Sequence, residues 1–255
     1  MSSPENPVGN PTLAPAPQPS LSPIGRAIAV FARPAGAWSG LETHAQWWIP
    51  TLVLVVFSGV FSALLYDRAL LPMMADRWDE QVQSGSMSPT QADHAAAMMR
   101  TPVAIAITSA SQGLIIGVWI LVVALVVWFG AGFVLGTKLK YRQALEVSAW
   151  AALINLPGQV VAFALAWTRE TFKGVHIGFG ALLPVSTSPS KLMVGLGIFL
   201  DALGPFSIWF LIVGILGASA LSGAPRRSVA WTLTGLYFAL VGFAAVLTAM
   251  LAPAS

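Results

Sequence analysis

The longest uncharged stretch of the chain, Thr101 to Thr137, constrains the fold more than any other feature. It spans 37 residues without Asp, Glu, Lys or Arg, whereas a helix needs only about 20 apolar residues to cross a bilayer. Over the whole chain 9% of residues are charged and 56% are hydrophobic, against about 25% charged residues in a typical soluble domain. The sequence therefore predicts an all-α polytopic membrane protein and argues against a soluble enzyme.

Four other apolar runs have the length of a membrane span. The first opens with Trp47 and Trp48, at the position expected for an interfacial aromatic belt. We predict short interfacial or extramembrane helices and a membrane domain over 43–251, with five spans at about 44–66, 113–135, 147–167, 202–221 and 229–251. Thr108, Ser109, Ser111 and Gln112 are then expected near the outer surface or facing protein.

Two segments outside the spans have distinct patterns. Residues 1–23 are rich in proline, which predicts a disordered tail. Residues 24–42 carry Arg26, Arg33 and Trp38 among short apolar stretches, which predicts an interfacial segment with a new helical turn at Pro34. Ser88 followed by Pro89 and Gln91 is typical of a helix start with a capping box.

Two short, basic loops indicate the orientation. The first contains Lys138, Lys140 and Arg142, and the second contains Arg226 and Arg227, with no acid in either. Such loops stay preferentially in the cytoplasm. We therefore predict a cytoplasmic N-terminus and an external C-terminus, with these five cations as topology determinants.

Three polar features inside or beside the spans are candidate functional or structural sites. Asp201 is the acid closest to an apolar run, but it lies 25 residues from Arg226, about 37 Å of helix. This length favours a structural or interfacial role near the outer surface over ion or proton handling. Glu146 follows Arg142 by one turn, which predicts an i,i+4 ion pair at the inner interface.

The third candidate is the sequence Asn155 to Gln159, which includes Pro157 in the third span. Proline should kink the helix, and a neighbouring helix should satisfy the carbonyl that it frees. Broken helices also build transporter sites, but without a convincing internal repeat a packing kink is favoured. Small residues four apart predict close helix contacts, favoured within one chain; these pairs are Gly113/Gly117, Gly132/Gly136, Gly214/Ala218 and Gly235/Ala239.

Other site types lack support in the sequence. There is no cysteine, the three histidines lack metal-ligand spacing, and no catalytic triad or phosphate loop stands out. We expect no catalytic, cofactor-binding or metal-binding residues. The expected partners are the lipid bilayer and other membrane proteins or a second copy of the chain, and no nucleic acid.

Several short motifs resemble the bacterial branch of the Yip (Ypt-interacting protein) domain family, over about residues 34–250. The resemblance implies five spans and a cytosolic N-terminus. Eukaryotic members act in vesicle traffic and bind prenylated small GTPases, but their acidic, tyrosine-containing motif before the first span is absent here, so that role is not carried over. The motifs are Arg33-Pro34, Trp38, Trp47 to Pro50, Tyr141 to Ala144, Ala149 to Ala152, Pro157, Leu200-Asp201, Phe206 to Trp209, Gly214 and Arg226-Arg227.

Two functions are compatible with these features. A non-enzymatic membrane scaffold or interaction protein is favoured, in a bacterial inner membrane, since few ionisable groups lie in the spans. The alternative is a small transporter or channel subunit, which needs polar residues along a path through several spans. Spans one and five offer little beyond Ser58, Ser62, Thr232 and Thr234, which speaks against that alternative.

Overall fold

The computed structural model describes residues 21–41, 44–172, 174–184 and 190–251. The predicted Pro-rich tail lies, up to residue 20, outside the described residues. The described part of the chain is helical apart from its connections. Its α-helices are α1 Pro23–Ala32, α2 Trp48–Leu65, α3 Leu71–Gln83, α4 Pro89–Met99, α5 Pro102–Val127, α6 Tyr141–Ala152, α7 Leu156–Arg169, α8 Lys191–Asp201, α9 Pro205–Ser222 and α10 Arg226–Leu251.

Five of the helical stretches are long and apolar enough to cross a membrane, which confirms the predicted fold class. Two of them are extended by π-helical segments: Tyr66–Leu70 joins α2 to α3, and Trp128–Val134 prolongs α5. The stretches are Trp48–Gln83, Pro102–Val134, Tyr141–Arg169, Pro205–Ser222 and Arg226–Leu251.

The helix starts follow local chemistry that the sequence displays. Ser88 and Gln91 form the predicted capping box at the start of α4. Pro34 begins a 3-10 turn, Pro34–Gly36, also as predicted. The apolar residues before the fourth span form a separate helix, α8, because the chain breaks at Ala202–Gly204 before Pro205 starts α9.

The third span breaks just before Pro157, as predicted. A 3-10 turn, Leu153–Asn155, separates α6 from α7. The expectation that a neighbouring helix satisfies the Leu153 carbonyl is wrong, because the N–H of Leu156 donates to that carbonyl within the 3-10 turn. The break therefore satisfies its own backbone locally.

Helix α6 is the central element of the bundle, since every residue from Ala144 to Ile154 is buried. Around it, close contacts use some of the predicted small residues and not others. A Cβ on Gly113 would lie 3.0 Å from Val55 of α2, so this contact lies within the chain as predicted. A Cβ added at Gly214 or Gly235 would meet no atom within 4 Å, so these two glycines make no close contact within the described part of the chain.

Candidate functional site

A buried arginine in α1 holds together the segment that precedes the first span. Arg26 is fully buried, and its guanidinium donates hydrogen bonds to the Ala37 carbonyl and to the Ser39 carbonyl, the latter at 3.0 Å. It also donates from Nε to Gln46 Oε1 at 3.2 Å, and it stands 5.7 Å from the ring centroid of Trp150. Arginine suits this position because its planar fork can serve several acceptors and a ring at once.

Glu146 in α6 completes this group of side chains. It is fully buried, and its Oε1 accepts the backbone N–H of Gln46 at 2.7 Å. Arg142 Nη1 lies 3.8 Å from the same oxygen, so the predicted i,i+4 pair is present. We call Arg26, Gln46, Arg142 and Glu146 the Arg26–Glu146 cluster. Gln46 bridges it, because its side chain accepts from Arg26 while its backbone donates to Glu146.

The cluster fastens the segment before the first span onto one end of the bundle. We call the buried apolar residues of this segment, Val30, Trp38 and Leu41, the lid. Trp38 is only 2% exposed, and a Cβ on Gly217 of α9 would lie 2.7 Å from its ring. Val30 and Leu41 are fully buried in the same core. The segment expected to lie in the headgroup region therefore buries one face against the spans.

A cavity of about 380 Å³ lies between α2, α5 and α7, and we call it the three-helix cavity. Four neutral polar side chains from three spans line it: Ser58, Ser62, Gln112 and Gln159. Ser58 Oγ donates to Gln159 Oε1 at 3.3 Å. The other lining residues are Phe61, Leu65, Leu70, Met73, Ile116, Ala162, Phe163 and Phe172, so no charged side chain of the described residues faces the cavity.

Asp201 lies elsewhere, at the C-terminal end of α8. Its Oδ2 is 2.7 Å from His176 Nδ1, which belongs to the connection before α8. The connection passes so close that a Cβ on Gly178 or Gly180 would overlap Asp201 atoms at 2.4 or 2.5 Å. At Gly178 the overlapping atoms belong to the backbone of Asp201, so glycine is required there, and the contact between His176 and Asp201 fastens the connection to the end of α8.

One comparison with known proteins shows the family of the chain. The model of the Yip1 domain matches residues 28–248, most of the sequence. The chain belongs to the Yip1 domain family. No curated protein and no solved structure shows a significant match.

The remaining predicted residues of this Yip1 domain make no comparable site. Lys138, Lys140, Arg226 and Arg227 are exposed, and the two basic turns that carry them lie side by side. Asn155 precedes α7 without a side-chain capping bond, and Pro157 is exposed in the first turn of α7. Within the described ranges, no group of three His, Asp or Glu side chains could hold a metal ion.

Glu146 and Gln159 stand out in the sequence as candidates, whereas Arg26, Ser58 and Ser62 do not. From the sequence alone, Arg26 is expected to be an interfacial cation. It shares a helix face with Val30, four residues later, and this periodicity is the one sign that Arg26 is buried. Ser58 and Ser62 are too sparse in the sequence to indicate a site. They acquire significance only because Gln112 and Gln159 approach them from other spans.

Proposed function

We propose that this Yip1 domain protein is a non-enzymatic membrane scaffold or interaction protein. The observation that carries the proposal is the closed end of the bundle. Trp38, Val30 and Leu41 fill the space between the spans there, and Arg26 is held by acceptors of its own segment. A permeation path would need to remove this lid, whereas a scaffold gains from a rigid one.

A liposome flux assay tests the proposal most directly. The purified full chain is reconstituted into liposomes loaded with ions or small solutes, and empty liposomes serve as the control. Flux at the level of empty liposomes is expected. Robust flux without any partner protein would overturn the scaffold. Affinity purification of the detergent-solubilised protein, followed by mass spectrometry, should in parallel recover a reproducible membrane-protein partner or a second copy of the chain.

The alternative, a small transporter or channel subunit, is favoured by one observation, the three-helix cavity. Polar side chains of three spans meet there, as a substrate path would require. The double substitution Gln112→Leu with Gln159→Leu separates the two functions in the same liposomes. If flux occurs and this variant abolishes it, the transporter replaces the scaffold.

We further propose a bacterial inner membrane as the location, with the N-terminus in the cytoplasm and the C-terminus outside. The two basic turns support this orientation, because they adjoin one another at one end of the bundle.

The chain contains no cysteine, so single cysteines can report sidedness. In whole cells with a permeable outer layer, a membrane-impermeant maleimide should label Ser86→Cys, between α3 and α4. Lys138→Cys should react only after the inner membrane is opened. The reverse pattern would overturn the orientation.

A further inference from the structure

The three-helix cavity contains hydrogen-bonding capacity that the protein leaves unused. Gln159 receives one bond, from Ser58. Gln112 and Ser62 face the same cavity, and neither side chain hydrogen-bonds to another residue in the described part of the chain. In hydrocarbon no water is at hand to compensate, so unpaired amide groups are costly. A bound molecule that supplies polar atoms would remove this cost.

The depth of the cavity indicates where such a molecule comes from. Ser58 lies ten residues after Trp48, which is about 15 Å along a helix axis. Trp48 opens the span at the interface, and the hydrocarbon core is about 30 Å thick. Ser58 and Gln159 therefore lie near the middle of the bilayer. Met73 and Phe172 extend the cavity toward the connections outside the spans, and molecules already dissolved in the bilayer reach the level of Ser58 by lateral diffusion.

The lining restricts the chemistry of the occupant. Phe61, Phe163 and Ile116 provide an apolar wall for an aliphatic chain. About 380 Å³ is at the lower end of the range for small-molecule sites, about 300–1,000 Å³. It accommodates one chain rather than two. Carboxamides and hydroxyls pair well with hydroxyl and carbonyl groups, and an ionised headgroup would find no opposite charge on the described lining.

We propose that the three-helix cavity binds a neutral single-chain lipid. The aliphatic chain lies against the aromatic wall, and a hydroxyl or carbonyl group hydrogen-bonds to Gln112 and Gln159. The site is independent of the scaffold function, which depends on the closed end of the bundle.

Photoaffinity labelling of the full-length protein tests this site. The protein is purified into phosphatidylcholine nanodiscs and exposed to a monoacylglycerol whose chain carries a diazirine and an alkyne. Labelled peptides are then identified by mass spectrometry. Labelling should concentrate on α2, α5 and α7, and unlabelled monoacylglycerol should compete. Equal labelling of the exposed face of α10, or no competition, would overturn the proposal.

Two substitutions and a matched control localise the binding. Ala162→Trp fills the cavity and should abolish competable labelling of α2. Ala239→Trp places the same ring on the exposed face of α10 and should leave labelling of α2 unchanged. Unaltered labelling in Ala162→Trp, in a protein that elutes and melts like the wild type, would contradict the site. If Ala162→Trp fails to fold, the site is tested instead by competition in the wild-type protein and by the double variant Gln112→Leu with Gln159→Leu.

A second variant and a second probe test the hydrogen bonds that the proposal assigns to Gln112 and Gln159. Gln112→Leu with Gln159→Leu replaces both amides of the cavity with aliphatic side chains of similar size. Monoacylglycerol should then compete about tenfold more weakly, the factor that corresponds to about 1.4 kcal/mol of hydrogen bonding. The fatty acid with the same chain should label the wild type less than the monoacylglycerol does. Undiminished competition in the double variant, or a preference for the fatty acid, would overturn the proposed neutral ligand.

Discussion

The Arg26–Glu146 cluster and the three-helix cavity both gather polar side chains from distant parts of the chain, but they differ in burial: Arg26 and Glu146 are fully buried, whereas the polar side chains of the cavity are partly buried or, at Gln112, exposed. In the cluster, Arg26 donates to two backbone carbonyls, and Glu146 accepts a backbone N–H. In the cavity, the Ser58–Gln159 bond is accompanied by amide groups that have no partner among the described residues. Polar groups that the backbone satisfies stabilise a fold, whereas polar groups left open to a cavity are available to a ligand.

The largest expected effect comes from Arg26→Met. The substitution leaves the buried carbonyl of Ala37, and the partly buried carbonyl of Ser39 and side chain of Gln46, without their donor. We expect a loss of about 3–5 kcal/mol in the free energy of unfolding, as when one partner of a buried charged network is removed. Unfolding in mixed detergent and SDS micelles, followed by tryptophan fluorescence, measures it.

The control for Arg26 is Arg33→Met, at an exposed position just after α1. Its effect should stay within about 0.5 kcal/mol, as is usual for surface substitutions. Equal stability of the two variants would show that the cluster is not what holds the segment.

The next effect separates the two roles of Glu146. Glu146→Leu removes the acceptor of the Gln46 N–H as well as the charge near Arg142, and it should cost about 2–3 kcal/mol. Glu146→Gln keeps an acceptor oxygen and should cost about half as much. The same unfolding assay compares them. Should the glutamine variant be as unstable as the leucine variant, the charge rather than the backbone bond would be the important interaction.

A smaller effect tests the lid itself. Gly217→Ala places a Cβ 2.7 Å from the Trp38 ring, so the ring must shift, at a cost of about 1–3 kcal/mol. Gly214→Ala, one turn earlier on α9, meets open space and should be neutral or stabilise by up to about 1 kcal/mol. Thermal unfolding in detergent measures both. A lid that tolerates Gly217→Ala as well as Gly214→Ala would not be closely packed.

The smallest effect belongs to the cavity. Ser58→Ala removes the bond to Gln159 and should cost only about 0.6 kcal/mol, the average for such bonds between membrane helices. Gln112→Leu should leave stability unchanged or raise it, because it removes an unpaired amide. Thermal unfolding is again the measurement. Destabilisation as large as that of Arg26→Met would erase the distinction between the two regions.

The five spans could be predicted because the bilayer imposes a length that uncharged runs such as Thr101 to Thr137 display directly. Helix starts at Ser88 and Pro34 were predictable because the capping chemistry is local. The local pair of Arg142 and Glu146 in the cluster was predictable, but the link through Gln46 was not, since Gln46 and Glu146 are 100 residues apart and no local pattern encodes their pairing. Gln112 was expected near the surface or facing protein. Its convergence with Gln159 depends on how α5 and α7 pack, which neither residue's neighbours reveal.

The helical stretch from Trp48 to Gln83 is continuous, and its length determines how far it extends beyond the membrane. Its 36 residues correspond to about 54 Å of helical rise, against about 30 Å of hydrocarbon. If Trp48 marks one membrane surface, the far end stands roughly 20 Å beyond the opposite edge of the hydrocarbon. The turn at 84–88, which leads into α4, is thereby carried clear of the headgroups. The connection between α3 and α4 is therefore accessible from the aqueous side of the membrane.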